Sequence, residues 1–158
     1  MNRPSWDEYY IRLVYLAASK SKDPRTKIGA ILVRDNAVLS IAYNGFPRLV
    51  NDFPDRYENR ELKHRLVCHG EANTIYDCAR RGVSSLGSTL FSQGCPCDSC
   101  TKALIQGGIK EIIIHKQWPD MGDLWQESVK YSRLMFKEAG ITISAFDGIL
   151  GIKGMCDG

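Results

Sequence analysis

The chain has 158 residues, 44% apolar and 25% charged, with 21 basic and 18 acidic side chains and a formal net charge of +3. That length suits a single domain with a real core, and interspersed charge of both signs supplies no basic stripe to argue for a nucleic-acid partner. The polar start, with Asp7 and Glu8, is unlike a signal peptide, and the densest apolar run, Ile112-Ile113-Ile114, is far too short to cross a membrane, so a cytoplasmic protein is expected.

Residues 5–20 read as a helix, capped by Ser5 with Glu8 three residues on, and its apolar stripe Tyr9, Leu13, Leu16 and Ala17 is expected to face the core. Residues 28–34 and 38–43 are rich in branched apolar side chains around the turn pair Asp35-Asn36, which predicts a β-hairpin. A turn follows at Asn44-Gly45-Phe46-Pro47. Residues 48–63 are polar and aperiodic and read as a long loop with at most a helical turn. Helices are expected over 71–81, 98–106 and 123–139, each closed by glycine, with Leu124, Val129, Leu134 and Phe136 as the apolar side of the last. Strands are expected over 88–91, 111–115 and 141–145. The alternation predicts a three-layer α/β/α fold, a mixed five-stranded sheet flanked by helices, antiparallel in its first pair and parallel later. The Gly-rich tail from about residue 147 is expected to be mobile.

The chemistry-bearing residues fall in two short motifs, His69-Gly70-Glu71 and Pro96-Cys97-Asp98-Ser99-Cys100, each at the expected start of a helix. In a reducing compartment the six cysteines (68, 78, 95, 97, 100 and 156) point to metal or catalysis before a disulfide framework. Cys97 and Cys100 are three apart and share a face of a first helical turn, where the helix dipole favours thiolates. If the two helices lie side by side, His69, Cys97 and Cys100 can meet on one Zn2+ with a fourth position open to water. Glu71, two residues from His69, is then free to move protons from that water to a substrate.

His-x-Glu followed by Pro-Cys-x-x-Cys is the signature of zinc nucleobase deaminases. The wider sequence resembles the deoxycytidylate (dCMP) deaminase family within the cytidine deaminase superfamily, from about Trp6 to Ala145. The likeness is carried by Ser21-Lys22-Asp23-Pro24, by 28–33, by Tyr43-Asn44-Gly45-Phe46-Pro47, by 67–73 and by 97–106 with Gly108-Ile109. The resemblance implies hydrolysis of dCMP to dUMP for thymidylate synthesis. It implies Asn44 on the sugar, with Arg25 and Lys27 as candidates for the 5′-phosphate. It also implies a homo-oligomer, hexamer or dimer, activated by dCTP (with Mg2+ beside the nucleotide) and inhibited by dTTP, with the effector site sought near the loop after Asn44. Gly70 departs from the Ala usual between the zinc His and the catalytic Glu. Its missing methyl is expected to enlarge the pocket and to admit a 5-substituted cytosine. Cys95 beside Pro96 is a further departure, read as a pocket wall or a substitute ligand.

Other readings stay open on the motifs alone. His64 and His69 have a His-x₄-His spacing that, with Cys97 and Cys100, can close a four-ligand structural zinc site in an interaction module. A non-catalytic deaminase fold, or a deaminase acting on tRNA or single-stranded DNA, shares the same motif. Trp118 and Phe46 are candidates to stack on a base, though aromatics more often serve a core.

Overall fold

The structure is a computed structural model that describes residues 3–119 and 121–150. Cys156 and most of the tail expected to be mobile lie outside them.

Helix α1 (Trp6–Ala18) opens as its sequence requires: Ser5 Oγ accepts from the backbone N–H of Glu8 at 3.1 Å. Its buried face is Tyr10, Ile11, Val14, Tyr15, Ala17 and Ala18. The expected stripe is corrected: Tyr9 and Leu16 are 43% and 60% exposed. The helix is apolar around most of its girth, so periodicity alone does not select the face that the sheet covers.

Strands β1 (Gly29–Arg34) and β2 (Ala37–Tyr43) pair antiparallel. Asp35 and Asn36 between them both have positive φ, 52° and 59°, the backbone a two-residue hairpin turn demands. The stretch read as a loop instead carries α2 (Pro54–Glu58) and α3 (Arg60–Leu66). Asn59 accepts from the N–H of Leu62 and starts α3, which buries none of its residues and so leaves no apolar period to read.

The rest follows in the expected alternation: α4 (Gly70–Arg81), β3 (Thr89–Ser92), α5 (Asp98–Gln106), β4 (Glu111–His115), α6 (Asp123–Glu138) and β5 (Thr142–Phe146). The sheet order is β2-β1-β3-β4-β5, with β1 antiparallel to β3 and the last two pairs parallel. Tyr10, Ile11, Val14 and Tyr15 pack on Ile31, Val33, Phe91 and Ile113 of one face. Cys78 of α4, Leu104 of α5 and Phe136 of α6 cover Ala30, Leu32, Leu90 and Ile112 of the other. This is the three-layer arrangement expected, although Leu124 and Leu134 of α6 are exposed while Val129 and Phe136 are buried.

His115 ends β4 and is buried. Its Nε2 is 3.0 Å from the carbonyl of Gly148, which can only accept, so Nε2 carries the proton. Nδ1 then accepts from the Tyr15 hydroxyl at 2.6 Å. Leu150 packs in the same core. Among the described residues no helix is long and apolar enough to cross a membrane.

Candidate active site

Helices α4 and α5 lie side by side on one face of the sheet, and both begin near the carboxyl end of β3. His69 is the N-cap of α4 in extended backbone (φ −76°, ψ 152°), and Cys97 is the N-cap of α5 in the same conformation (φ −69°, ψ 166°). In place of the usual hydroxyl or carboxylate cap, the Cys97 sulfur accepts from the N–H of Cys100 at 3.5 Å. The ring Nδ1 of His69 is 3.4 Å from Cys97 Sγ. One ligand atom each from His69, Cys97 and Cys100 lies within 4.8 Å of the others.

Glu71 sits one residue inside α4 and is only 3% exposed. Its carboxylate is 4.0 Å from Cys100 Sγ and 3.5 Å from the Ser92 hydroxyl at the end of β3. Burial drives its pKa above the ordinary carboxylate range, opposed by nearby His69. Cys97 moves the other way, below the ordinary thiol range, because the Cys100 thiol and then the His69 ring donate to it against the pull of burial. Cys100, beside that thiolate and itself buried, is pushed up. The Cys97 thiolate likewise holds the His69 ring protonated to higher pH than usual, against desolvation.

The donor set fits a zinc ion. Two soft sulfurs and an imidazole suit zinc, and three protein donors are the number that leaves a position open. His64 stands outside the cluster: it is exposed on α3, with Nε2 facing Arg60 Nε at 3.4 Å, so the four-ligand closed site does not form here. Cys95 also stands outside it, buried, with its thiol pushed up to about 11 by desolvation.

A cavity of about 640 Å³ opens above this cluster, with His69 and Glu71 in its lining. Arg60, Lys63, His64 and Val67 line one side, and Trp118, Met121, Leu124 and Trp125 another. Asp23, Arg25, Thr26 and Asn44 close it toward the hairpin. Of the residues expected there, Arg25 and Asn44 are brought to the cavity. Lys27 is exposed and lies outside the lining. Asn44 is 5% exposed and its amide is engaged: Oδ1 accepts from the N–H of Ile28 at 2.9 Å and Nδ2 donates to the Thr26 carbonyl at 2.9 Å. Asp23, fully buried, ties this wall together. Its Oδ1 accepts from the N–H groups of Arg25 and Thr26, and Oδ2 pairs with Lys63 Nζ at 2.6 Å. Phe46 stacks instead on Tyr57, ring centroids 4.4 Å apart, away from the cavity lining.

Gly70 corrects one expectation. A Cβ there would sit 3.0 Å from the Ile28 carbonyl oxygen and 3.4 Å from Tyr43 Cα, so its missing methyl faces backbone and does not enlarge the cavity. Two groups of lining residues escape a motif reading. Those of α3 are spaced 60, 63, 64, 67, one helical face, which is the signal that could have found them. Those of α6 and the segment before it, at 118, 121, 124 and 125, have a similar spacing, but 118 and 121 lie outside any helix, so no helical face is there to be read.

An imidazole and two thiols at neighbouring helix N-termini, beside a buried carboxyl and under an open cavity, are the parts of a zinc-dependent hydrolytic enzyme. Residues 4–116 match the family described as the cytidine and deoxycytidylate deaminase zinc-binding region. Mouse deoxycytidylate deaminase is 36% identical over 149 residues, spanning 89% of this chain and 79% of that one. An uncharacterized deaminase in the luxG 3′ region of Aliivibrio fischeri is 32% identical over 139 residues, spanning 88% and 92%. In fold, the chain is similar to the dCMP deaminase of cyanophage S-TIM5 solved in complex with dCMP and dUMP, with a TM-score of 0.71, 23% identity, and coverage of 92% of this chain and 100% of that one. The chain belongs to the cytidine and deoxycytidylate deaminase family.

Proposed function

We propose that this protein hydrolyses dCMP to dUMP and ammonia, with zinc held by His69, Cys97 and Cys100 and with Glu71 carrying the protons. The observation that carries the reading is the buried Glu71 carboxyl beside the three-donor cluster at one end of a cavity lined by Arg25 and Arg60. A zinc ion there supplies Lewis acidity that makes hydroxide available near neutral pH. Glu71, desolvated and raised in pKa, suits a group that accepts a proton and gives it up within one turnover. It takes one proton from the attacking water and gives it to the ring nitrogen N3, then takes the proton of the hydroxyl left on C4 and gives it to the departing amine. The amino group leaves C4 as ammonia and the water oxygen remains as the carbonyl.

The nucleotide rather than the nucleoside is favoured by charge. Glu71 is committed to chemistry and Asp23 to Lys63, so Arg25 and Arg60 are the cations on the cavity wall available to a 5′-phosphate. Asn44, on the same wall, is the candidate contact for the sugar. Trp118 and Trp125 offer apolar faces to the base. The substrate is thus a small soluble nucleotide, the whole chain serves as one deaminase domain, and the cytoplasm is its expected compartment. A homo-oligomer, dimer or hexamer, is part of the family reading. Activation by dCTP with Mg2+ and inhibition by dTTP extend the same family reading.

The test is turnover against dCMP, deoxycytidine, CMP and a short single-stranded DNA, followed by absorbance, with and without dCTP and Mg2+. The proposal expects dCMP to be the preferred substrate and Arg25→Ala to raise KM for dCMP while leaving weak deoxycytidine turnover unchanged. Preference for deoxycytidine or for the oligonucleotide would overturn it.

A further inference from the structure

We propose that Ser128 of α6 is a positioning residue for the two zinc thiols, acting through the first turn of α5. The inference rests on the assignment of His69, Cys97 and Cys100 as the zinc donors.

The thiols stand on a weak piece of helix. Helix α5 has nine residues, with Cys97 at its N-cap and Cys100 in its first turn. The first backbone N–H groups of any helix have no partner within it. In α5 two of them, those of Asp98 and Cys100, find side-chain partners. The N–H of Cys100 goes to Cys97 Sγ at 3.5 Å, and that of Thr101 goes to the Cys97 carbonyl at 2.9 Å. The N–H of Asp98 turns away from the zinc donors and donates to Ser128 Oγ at 2.9 Å. The same hydroxyl donates back to Asp98 Oδ1 at 2.6 Å. One residue of α5 is therefore gripped through both its backbone and its side chain by one hydroxyl on a neighbouring helix. The residue gripped lies between the two thiols.

Helix α6 carries a second buried serine and an aromatic beside this contact. Ser132, fully buried one turn further along, donates to the Ser128 carbonyl at 3.1 Å. One turn earlier, Trp125 packs against the cluster formed by Ala72, Cys97 and Cys100, with its ring centroid 6.3 Å from that of His69. Helix α6 thus touches both helices that carry the donors.

The consequence is geometric. His69 stands on α4 and the two sulfurs on α5, so a small rotation or fraying of the α5 first turn moves both sulfurs relative to the imidazole. Ser128 opposes that motion. It is neither a zinc donor nor part of the cavity lining, so its effect falls on the metal and not on substrate contacts. Groups hydrogen-bonded directly to a metal ligand typically change metal affinity by about 10–100-fold when removed, and that range sets the scale for a group that holds the residue between two ligands.

The experiment is competition for zinc between the full chain and a chromophoric chelator. Ser128→Ala is expected to bind zinc about 10–100-fold more weakly. Ser128→Thr, which keeps the hydroxyl, restores affinity, and Ser132→Ala, on the same helix without a bond to α5, stays near wild type. Wild-type affinity in Ser128→Ala overturns the proposal, as does an equal loss in Ser132→Ala, which would mark general loosening of α6. Should Ser128→Ala fail to fold, Asp98→Ala carries the test, because it removes one of the two bonds: an intermediate loss supports the proposal and no loss overturns it. Cys97→Ala separates the two layers of the argument. If it leaves zinc binding intact, the donor assignment itself fails, and the role of Ser128 falls with it.

Discussion

Lys63→Met tests the wall of the cavity. The Asp23 side chain is 1% exposed and that of Lys63 is 12% exposed, with Nζ and Oδ2 2.6 Å apart. Removing one partner of a buried ion pair costs about 3–5 kcal/mol, because a charge is left without compensation. Asp23 keeps its two backbone donors, from Arg25 and Thr26, and these should reduce the cost to about 2–3 kcal/mol. Methionine preserves most of the apolar stem of lysine, so the loss reports the charge and not packing. The assay is urea unfolding of both proteins across pH. Burial pushes the Asp23 carboxyl up, but the bonds from Lys63 and the two N–H groups outweigh it and hold it below its ordinary 3.8. A depressed carboxylate stabilises above its unfolded pKa and loses that contribution as pH falls through the folded value. In the variant, burial acts without the lysine and the carboxyl rises instead. The gap between the two proteins should therefore be full at neutral pH and shrink as the pH falls through about 4. Equal stability at neutral pH, or a gap that does not narrow in acid, would refute the reasoning.

Two further substitutions follow from glycines. Gly29→Ala puts a Cβ 2.0 Å from the Val14 carbonyl oxygen and 2.7 Å from the Ala18 nitrogen, so α1 must lift from the sheet. A loss of about 3 kcal/mol in urea unfolding is expected, and a loss under 1 kcal/mol would contradict the close approach of α1 to β1. Gly70→Ala puts its methyl against the Ile28 carbonyl and outside the cavity. The ratio of kcat/KM for 5-methyl-dCMP to that for dCMP should be unchanged, and a tenfold fall in that ratio would return Gly70 to the pocket wall.

How much of this was legible in the sequence differs by element. The hairpin was, because Asp35-Asn36 tolerate the left-handed backbone that joins the strands. Helices α4 and α5 were, because their N-caps are the candidate donor residues and Gly82 and Gly107 follow their last turns. Helix α3 was not. None of its residues is buried, and it is fixed by the Asn59 cap and the Lys63–Asp23 pair, one end of which lies some forty residues away. The face of α1 was misread for the opposite reason, since two apolar stripes compete and only the sheet decides between them. At the site, His69, Glu71, Cys97 and Cys100 announce themselves by spacing. Of the cavity walls, the one on α3 has the spacing of one helical face, whereas the one on α6 and the segment before it depends on tertiary packing.

In the proposed reaction Glu71 moves protons beside a zinc ion that it does not hold. Glu71→Gln measures this directly: zinc content per chain beside dCMP turnover at saturating substrate. Glu71→Gln is expected to keep wild-type zinc content with turnover reduced by about 10²–10⁴-fold. Turnover near the wild-type rate, or loss of the zinc with the carboxylate, would contradict it.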